Sequence, residues 1–273
     1  MGIHPGIGKT LWAAEHHTNY LEEGSGKPLI LLHGSGPGVS AWTNWSEVMA
    51  PLAQQFRVVA PDIAGFGFTE FKAGSRYDMK LWVRHLLGTL DALGLEKVSL
   101  VGNSFGGALA IGLATFAPER VDKLVLLGTP AGEFEQTPGL RSACEYEPSL
   151  EAMERTMRLF PFDPAVITET MVRTRYEASA RPGAQEALRQ LIPPPNPEGP
   201  TVLKGFPESV LAKVQAPTLV LHGREDAVVP VACGWRLAHA IPRAEFHLFG
   251  QCGHWVQVEH RERFVQLVRD FCG

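Results

Sequence analysis

The 273-residue chain predicts an α/β fold, a mostly parallel eight-stranded sheet flanked by helices, with a helical lid inserted into it. Three observations carry that prediction. Short apolar runs rich in β-branched residues alternate with stretches of helical spacing, the rhythm of a sheet covered on both faces. One run, Val98-Ser99-Leu100-Val101, ends in Gly102-Asn103-Ser104-Phe105-Gly106 and passes into small and apolar residues at helical spacing. The rhythm breaks over residues 132–208, which hold 11 of the 21 prolines, Pro193-Pro194-Pro195 among them. The expected division is therefore a core of residues 1–131 and 209–273 and a lid of residues 132–208.

Taken in order, residues 1–10 read as a loose terminus. They end in Gly6-Ile7-Gly8-Lys9-Thr10, which imitates a phosphate loop but has Ile3 where that motif needs its first glycine, and no strand before it. Residues 11–21 have strand character and 22–26 form a turn. An apolar strand over 28–32 runs into His33-Gly34-Ser35-Gly36-Pro37-Gly38. A helix is expected at 43–55, a strand at 57–60, a helix at 79–93, then the strand at 98–101 and a helix reaching Phe116. A strand at 122–127 follows. Within the lid, 150–159 and 169–179 read as short amphipathic helices. Strands return at 218–221 and 244–249, each followed by a helix.

Composition bounds the partners. Net charge is −4 without a basic block, so nothing invites nucleic acid or an anionic membrane. No apolar run reaches the length of a membrane span, and the start of the chain lacks a secretory apolar region, so a cytoplasmic protein acting on a small molecule is expected. Cys144, Cys233, Cys252 and Cys272 lack metal-site spacing and read as thiols in a reducing compartment. No metal and no cofactor are expected.

Strand, tight turn and helix around Gly102–Gly106 form the context of a nucleophile elbow, which displays Ser104 at the carboxyl end of the sheet. A serine hydroxyl attacks only when a base takes its proton and a carboxylate orients that base. On this kind of sheet the order is serine, acid, histidine, each after a strand. Asp226 follows the strand at 218–221, with Glu225 beside it as a rival that spacing alone does not exclude. His254 follows the strand at 244–249. His247 lies within a strand, His260 within the terminal helix, and His16 and His17 near the start of the chain, where structural or solvated roles are ordinary. An oxyanion needs donors. The backbone N–H of Phe105 offers one at a helix N-terminus, and the loop at Ser35 offers the other.

Four stretches go further: residues 33–42, Gly102-Asn103-Ser104-Phe105-Gly106-Gly107, His222-Gly223-Arg224-Glu225-Asp226, and residues 249–255 ending in His254-Trp255. With Arg175-Tyr176-Glu177-Ala178-Ser179 in the lid, the sequence resembles the meta-cleavage product hydrolases of the α/β-hydrolase fold over nearly its whole length, nearest their 2-hydroxymuconate-semialdehyde hydrolase branch. The resemblance implies a cofactor-free hydrolysis of a carbon–carbon bond in 2-hydroxy-6-oxo-dienoates. It also implies that Ser104, Asp226 and His254 form the triad, that Arg175 takes the substrate carboxylate, and that Gly34, Gly36, Asn44, Asn103 and Trp255 line the site. The family is often oligomeric. Residues 128–134 and 193–205 depart from the pattern, which leaves the 6-substituent open. A carboxylesterase on the same fold is the alternative; a non-catalytic receptor or scaffold is a third reading. Dehalogenases and epoxide hydrolases are disfavoured because their elbows carry aspartate where this chain has Ser104.

Overall fold

The computed structural model describes residues 4–192 and 194–273; Met1–Ile3 and Pro193 lie outside the described residues, and with them Ile3 and part of the triple-proline stretch. One sheet holds eight strands: β1 (Lys9–Ala13), β2 (His16–Glu23), β3 (Lys27–Leu32), β4 (Phe56–Pro61), β5 (Val98–Asn103), β6 (Val121–Leu127) and, later in the chain, β9 (Thr218–Gly223) and β10 (Ala244–Phe249). Their order is β1-β2-β4-β3-β5-β6-β9-β10. The β1–β2 and β2–β4 pairs are antiparallel and every other pair is parallel. The central strands are buried on both faces: Leu29 to Leu32 on β3 have no exposed surface, and all of β5 is buried.

Helices α1 (Ala41–Ala53), α2 (Met79–Ala92) and α3 (Phe105–Phe116) cover this sheet between β3 and β6. Local chemistry starts two of them. The Ser40 side chain accepts from Thr43 N–H at the head of α1, and Asp78 accepts from Leu81 N–H at the head of α2. Between β6 and β9 lie β7 (Glu133–Glu135), α4 (Pro138–Cys144), α5 (Leu150–Met157), α6 (Glu169–Ser179), α7 (Glu186–Leu191), β8 (Val202–Lys204) and α8 (Glu208–Leu211). Then α9 (Val231–Ala240) separates β9 from β10, and α10 (Val256–Glu259) and α11 (Arg261–Cys272) close the chain. None of the described helices is long and apolar enough to cross a membrane. No cysteine is in a disulfide.

Three sequence expectations change. The single strand at 11–21 is a hairpin, with Ala13 opposite His16 and both loop residues, Ala14 and Glu15, at positive φ. Such a two-residue turn ordinarily announces itself by Asn or Gly, and here neither is present. The terminus is not loose throughout. Lys9 and Thr10 open β1, and the Asn19 side chain donates to Gly6 O and accepts from Gly8 N–H. The β7–β8 pair was not expected at all, because strands of three residues carry too few alternations to be read.

Candidate active site

Residues at the ends of β5, β9 and β10 converge, with the glycine-rich loop after β3 beside them. Ser104 sits between β5 and α3 at φ 53° and ψ −116°, a backbone state that L-residues adopt only when the surroundings impose it. The surroundings are explicit. Ser104 N–H donates to Leu127 O at 2.7 Å, and any side chain at Gly106 would run into the carbonyls of Leu32 and His33. The serine is thereby held at the carboxyl end of the central strand β5 with 7% of its surface exposed. Phe105, the first residue of α3, carries one of the N–H groups that a helix N-terminus leaves without an intrahelical acceptor.

Asp226 and Glu225 have different partners. His254 Nδ1–H donates to Asp226 Oδ2 at 2.7 Å, while Asp226 Oδ1 accepts from Val228 N–H and Val229 N–H at 2.8 and 2.9 Å. Burial works against the Asp226 charge, but the imidazoles of His254 and His222 outweigh it and hold the carboxyl well below the usual carboxylate range. Glu225 points elsewhere: it pairs with Arg224 and accepts from Cys252 N–H. Gly128, at φ 48°, packs directly against this pair; a Cβ there would come within 2.9 Å of His254 Nδ1. The backbone of His254 is itself tied to the segment after α5 by its N–H, which donates to Phe160 O at 2.7 Å.

The loop after β3 is set by His33. Its Nε2 accepts from Ile63 N–H at 2.9 Å, so the proton is on Nδ1, which donates to Gly34 O at 2.7 Å. Full burial lowers this histidine to about 4 and keeps it neutral. Gly34 then packs against Asn103 and Ser104, and Gly36 against the Arg175 guanidinium. Asn44 Oδ1 accepts from Gly34 N–H at 3.2 Å, while its Nδ2 is buried without a partner among the described residues.

Two cavities lie near these residues, and Ser35 of the loop lines the first. One, of about 590 Å³, is lined by Ser35, Ser104, Phe105 and mostly apolar side chains, including Phe134, Leu140, Leu203 and Val229. The other, of about 480 Å³, is lined by Asn44, Arg175, Trp255 and Gln257 together with exposed residues of α1 and α6. Asn103 lines neither; its Nδ2 donates to Leu127 O at 3.5 Å, beneath the elbow. Arg175 is 6% exposed, donates from Nε to Pro37 O at 2.9 Å and lies over the rings of Trp255 and Phe160. Burial lowers it to about 10, so it remains a cation at neutral pH. Among the described residues, no carboxylate lies within ion-pair distance of it.

Phe160, Gly128 and His222 touch the site without having been singled out by motif reasoning. Phe160 and Gly128 lie outside any recognisable spacing. His222 stood inside a matched stretch, but only its approach to Asp226 reveals a role.

The description "Alpha/beta hydrolase family" matches residues 29–267. The chain is 45% identical to a 2-hydroxymuconate semialdehyde hydrolase of Pseudomonas sp. strain CF600, over 98% of this chain and 94% of that one. It is 44% identical to a 2-hydroxy-6-oxo-2,4-heptadienoate hydrolase of Pseudomonas putida, over 97% and 96%. Among solved structures, a meta-cleavage product hydrolase from Pseudomonas fluorescens superposes with a TM-score of 0.89 at 42% identity, covering 97% of each chain.

Proposed function

The chain belongs to the α/β-hydrolase family and, within it, to the meta-cleavage product hydrolases, and from that premise we propose how its residues divide the work on a 2-hydroxy-6-oxo-hexa-2,4-dienoate. It hydrolyses the carbon–carbon bond beside the 6-oxo group, giving 2-hydroxypenta-2,4-dienoate and a carboxylic acid. The observation that carries the assignment is Arg175, a buried guanidinium facing a glycine loop with no carboxylate of the described chain beside it. A buried cation is costly until an anion joins it. The substrate carboxylate supplies that anion, and a planar guanidinium binds it bidentately.

From Arg175 the dienoate crosses Gly34 and Gly36, where the missing side chains leave room, and presents its 6-oxo carbon to Ser104. Asn44, Asn103 and Trp255 shape this path. Ketonisation of the dienol moves its proton to the carbon beside the 6-oxo carbon and leaves a 2-oxo group that accepts the electrons of the later carbanion-like leaving group. His254, oriented by Asp226, takes a proton from Ser104 or from a water so that either attacks the 6-oxo carbon. The N–H groups of Phe105 and Ser35 receive the charge on the oxygen. When the bond breaks, its electrons run to the 2-oxygen, which takes the proton from His254 to give 2-hydroxypenta-2,4-dienoate; where Ser104 made the attack, a water then removes the acyl group from it as the carboxylic acid. The 6-substituent lies in the apolar cavity beyond the serine, and residues 132–208 form the lid over it. Such a cavity suits an alkyl or aryl substituent better than hydrogen, which would leave it unfilled.

The test is direct. The purified protein bleaches the yellow dienolate of 6-alkyl or 6-aryl substrates, and Ser104→Ala slows this by at least about a thousandfold. No bleaching with any 6-substituent defeats the reading.

A further inference from the structure

The acid of the triad has a second histidine. His222, near the end of β9, has no exposed surface. Its Nε2 lies 3.0 Å from Val229 O and 3.4 Å from Asp226 Oδ2, the same oxygen that accepts from His254. Its Nδ1 is buried with no partner among the described residues, and the backbone of Gly234 on α9 closes over it: a Cβ on that glycine would sit 2.7 Å away. Those contacts determine the tautomer. With the proton on Nδ1, the ring would bury an unsatisfied donor and aim a lone pair at two oxygens. With it on Nε2, one N–H serves both acceptors and only a weak acceptor is left dry.

We propose that His222 is a positioning residue that acts on His254 through Asp226. It does two things. Its N–H shares Oδ2 with His254, which draws electron density from that oxygen and moderates how strongly Asp226 raises the basicity of His254. By bonding Val229 O it also ties down the turn whose Val228 and Val229 N–H groups hold Oδ1. All four donors on the carboxylate are then fixed by one short segment and two rings. The Cys233 and Cys252 thiols that sense Asp226 are pushed up by burial and stay protonated, and Glu259 on α10 is engaged with the Gly253 and Trp255 N–H groups.

The proposal rests on the triad reading above, and the experiment separates the two. The kcat/KM of dienoate bleaching is measured against pH for the parent, His222→Phe and His222→Gln. Phenylalanine fills the space without a donor; glutamine places an amide N–H where Nε2 was. In His222→Phe, Oδ2 serves His254 alone, so the acidic limb moves to higher pH and kcat falls by roughly tenfold. His222→Gln restores the parental limb. A limb that stays put, moves to lower pH, or moves equally in both variants overturns the proposal, whereas a parent that bleaches no dienoate overturns the triad reading instead. Should His222→Phe fail to fold, nitrogen NMR of isotope-labelled histidine in the parent decides. His222 must carry its proton on Nε2, the nitrogen that faces Val229 O and Asp226 Oδ2. An Nδ1–H tautomer overturns it.

Discussion

Arg175 concentrates the residue-scale question, because its surroundings spend stability on a charge. The guanidinium is buried, stacked over Trp255 and Phe160, and anchored by a single carbonyl, that of Pro37. Nothing in a lid helix of alternating polar residues marks one arginine as buried, and α6 carries another, Arg173, on its exposed face. Arg175→Ala is expected to cut kcat/KM for dienoates by roughly a hundredfold, the scale of a charged partner left unpaired. Its hydrolysis of neutral nitrophenyl esters should change little. Equal losses on both substrates would reduce Arg175 to a structural role and favour the esterase reading. Arg175→Lys should recover only part of the loss, since an ammonium cannot reproduce the two parallel bonds of the planar fork.

Among the elements, residues 132–208 share a continuous apolar core with the rest of the chain and also meet it through specific contacts. Gly38, at φ 64°, lets α6 approach so closely that a Cβ would strike the carbonyl of Arg175, and Phe160 O binds the backbone of His254. The β7–β8 pair forms one wall of the apolar cavity, with Phe134 and Leu203 facing it. This wall is where the sequence departs from the family pattern, so substituent size should be read there. Leu203→Trp narrows the cavity at a half-buried position away from the triad. It should lower kcat/KM for a 6-phenyl substrate by roughly tenfold or more while sparing a 6-methyl one, which steady-state turnover on both measures. Similar losses on both would place the substituent elsewhere.

For the whole molecule, buried histidines outweigh a buried acid in acid. Burial lowers His33 to about 4 and His85 to about 3, so both bind fewer protons folded than unfolded as pH falls through the ordinary histidine value of 6.5. Asp62 acts oppositely. It accepts from Ala41 N–H, Phe68 N–H and Asn19 Nδ2, yet burial raises it from 3.8 to about 6, so the folded form binds more protons there. Two groups against one leave a net of about one proton, and stability should fall by about 1.4 kcal/mol per pH unit below about pH 6. Urea midpoints at about pH 7 and pH 5 check this; an equal or higher midpoint at the lower pH contradicts it.

The sequence by itself determined the alternation of strands and helices, the elbow at Ser104 and the histidine after the last strand. These are local matters: periodicity, a tight glycine turn and residue order along one chain. Even the helix at Glu169–Ser179 and the strand at Ala244–Phe249 were legible to the residue, because an amphipathic or apolar run is bounded by its neighbours. The hairpin at Ala14–Glu15 was not legible, since its positive-φ residues are ones that turns rarely use. The tertiary structure gives Asp226 and Glu225, adjacent in sequence, different partners. It alone buried Arg175, set Asn44 and Trp255 around a different cavity from Ser104, and brought His222 to Asp226. Those outcomes depend on how strands, helices and loops meet in space, and no spacing along the chain encodes the direction in which a side chain then points.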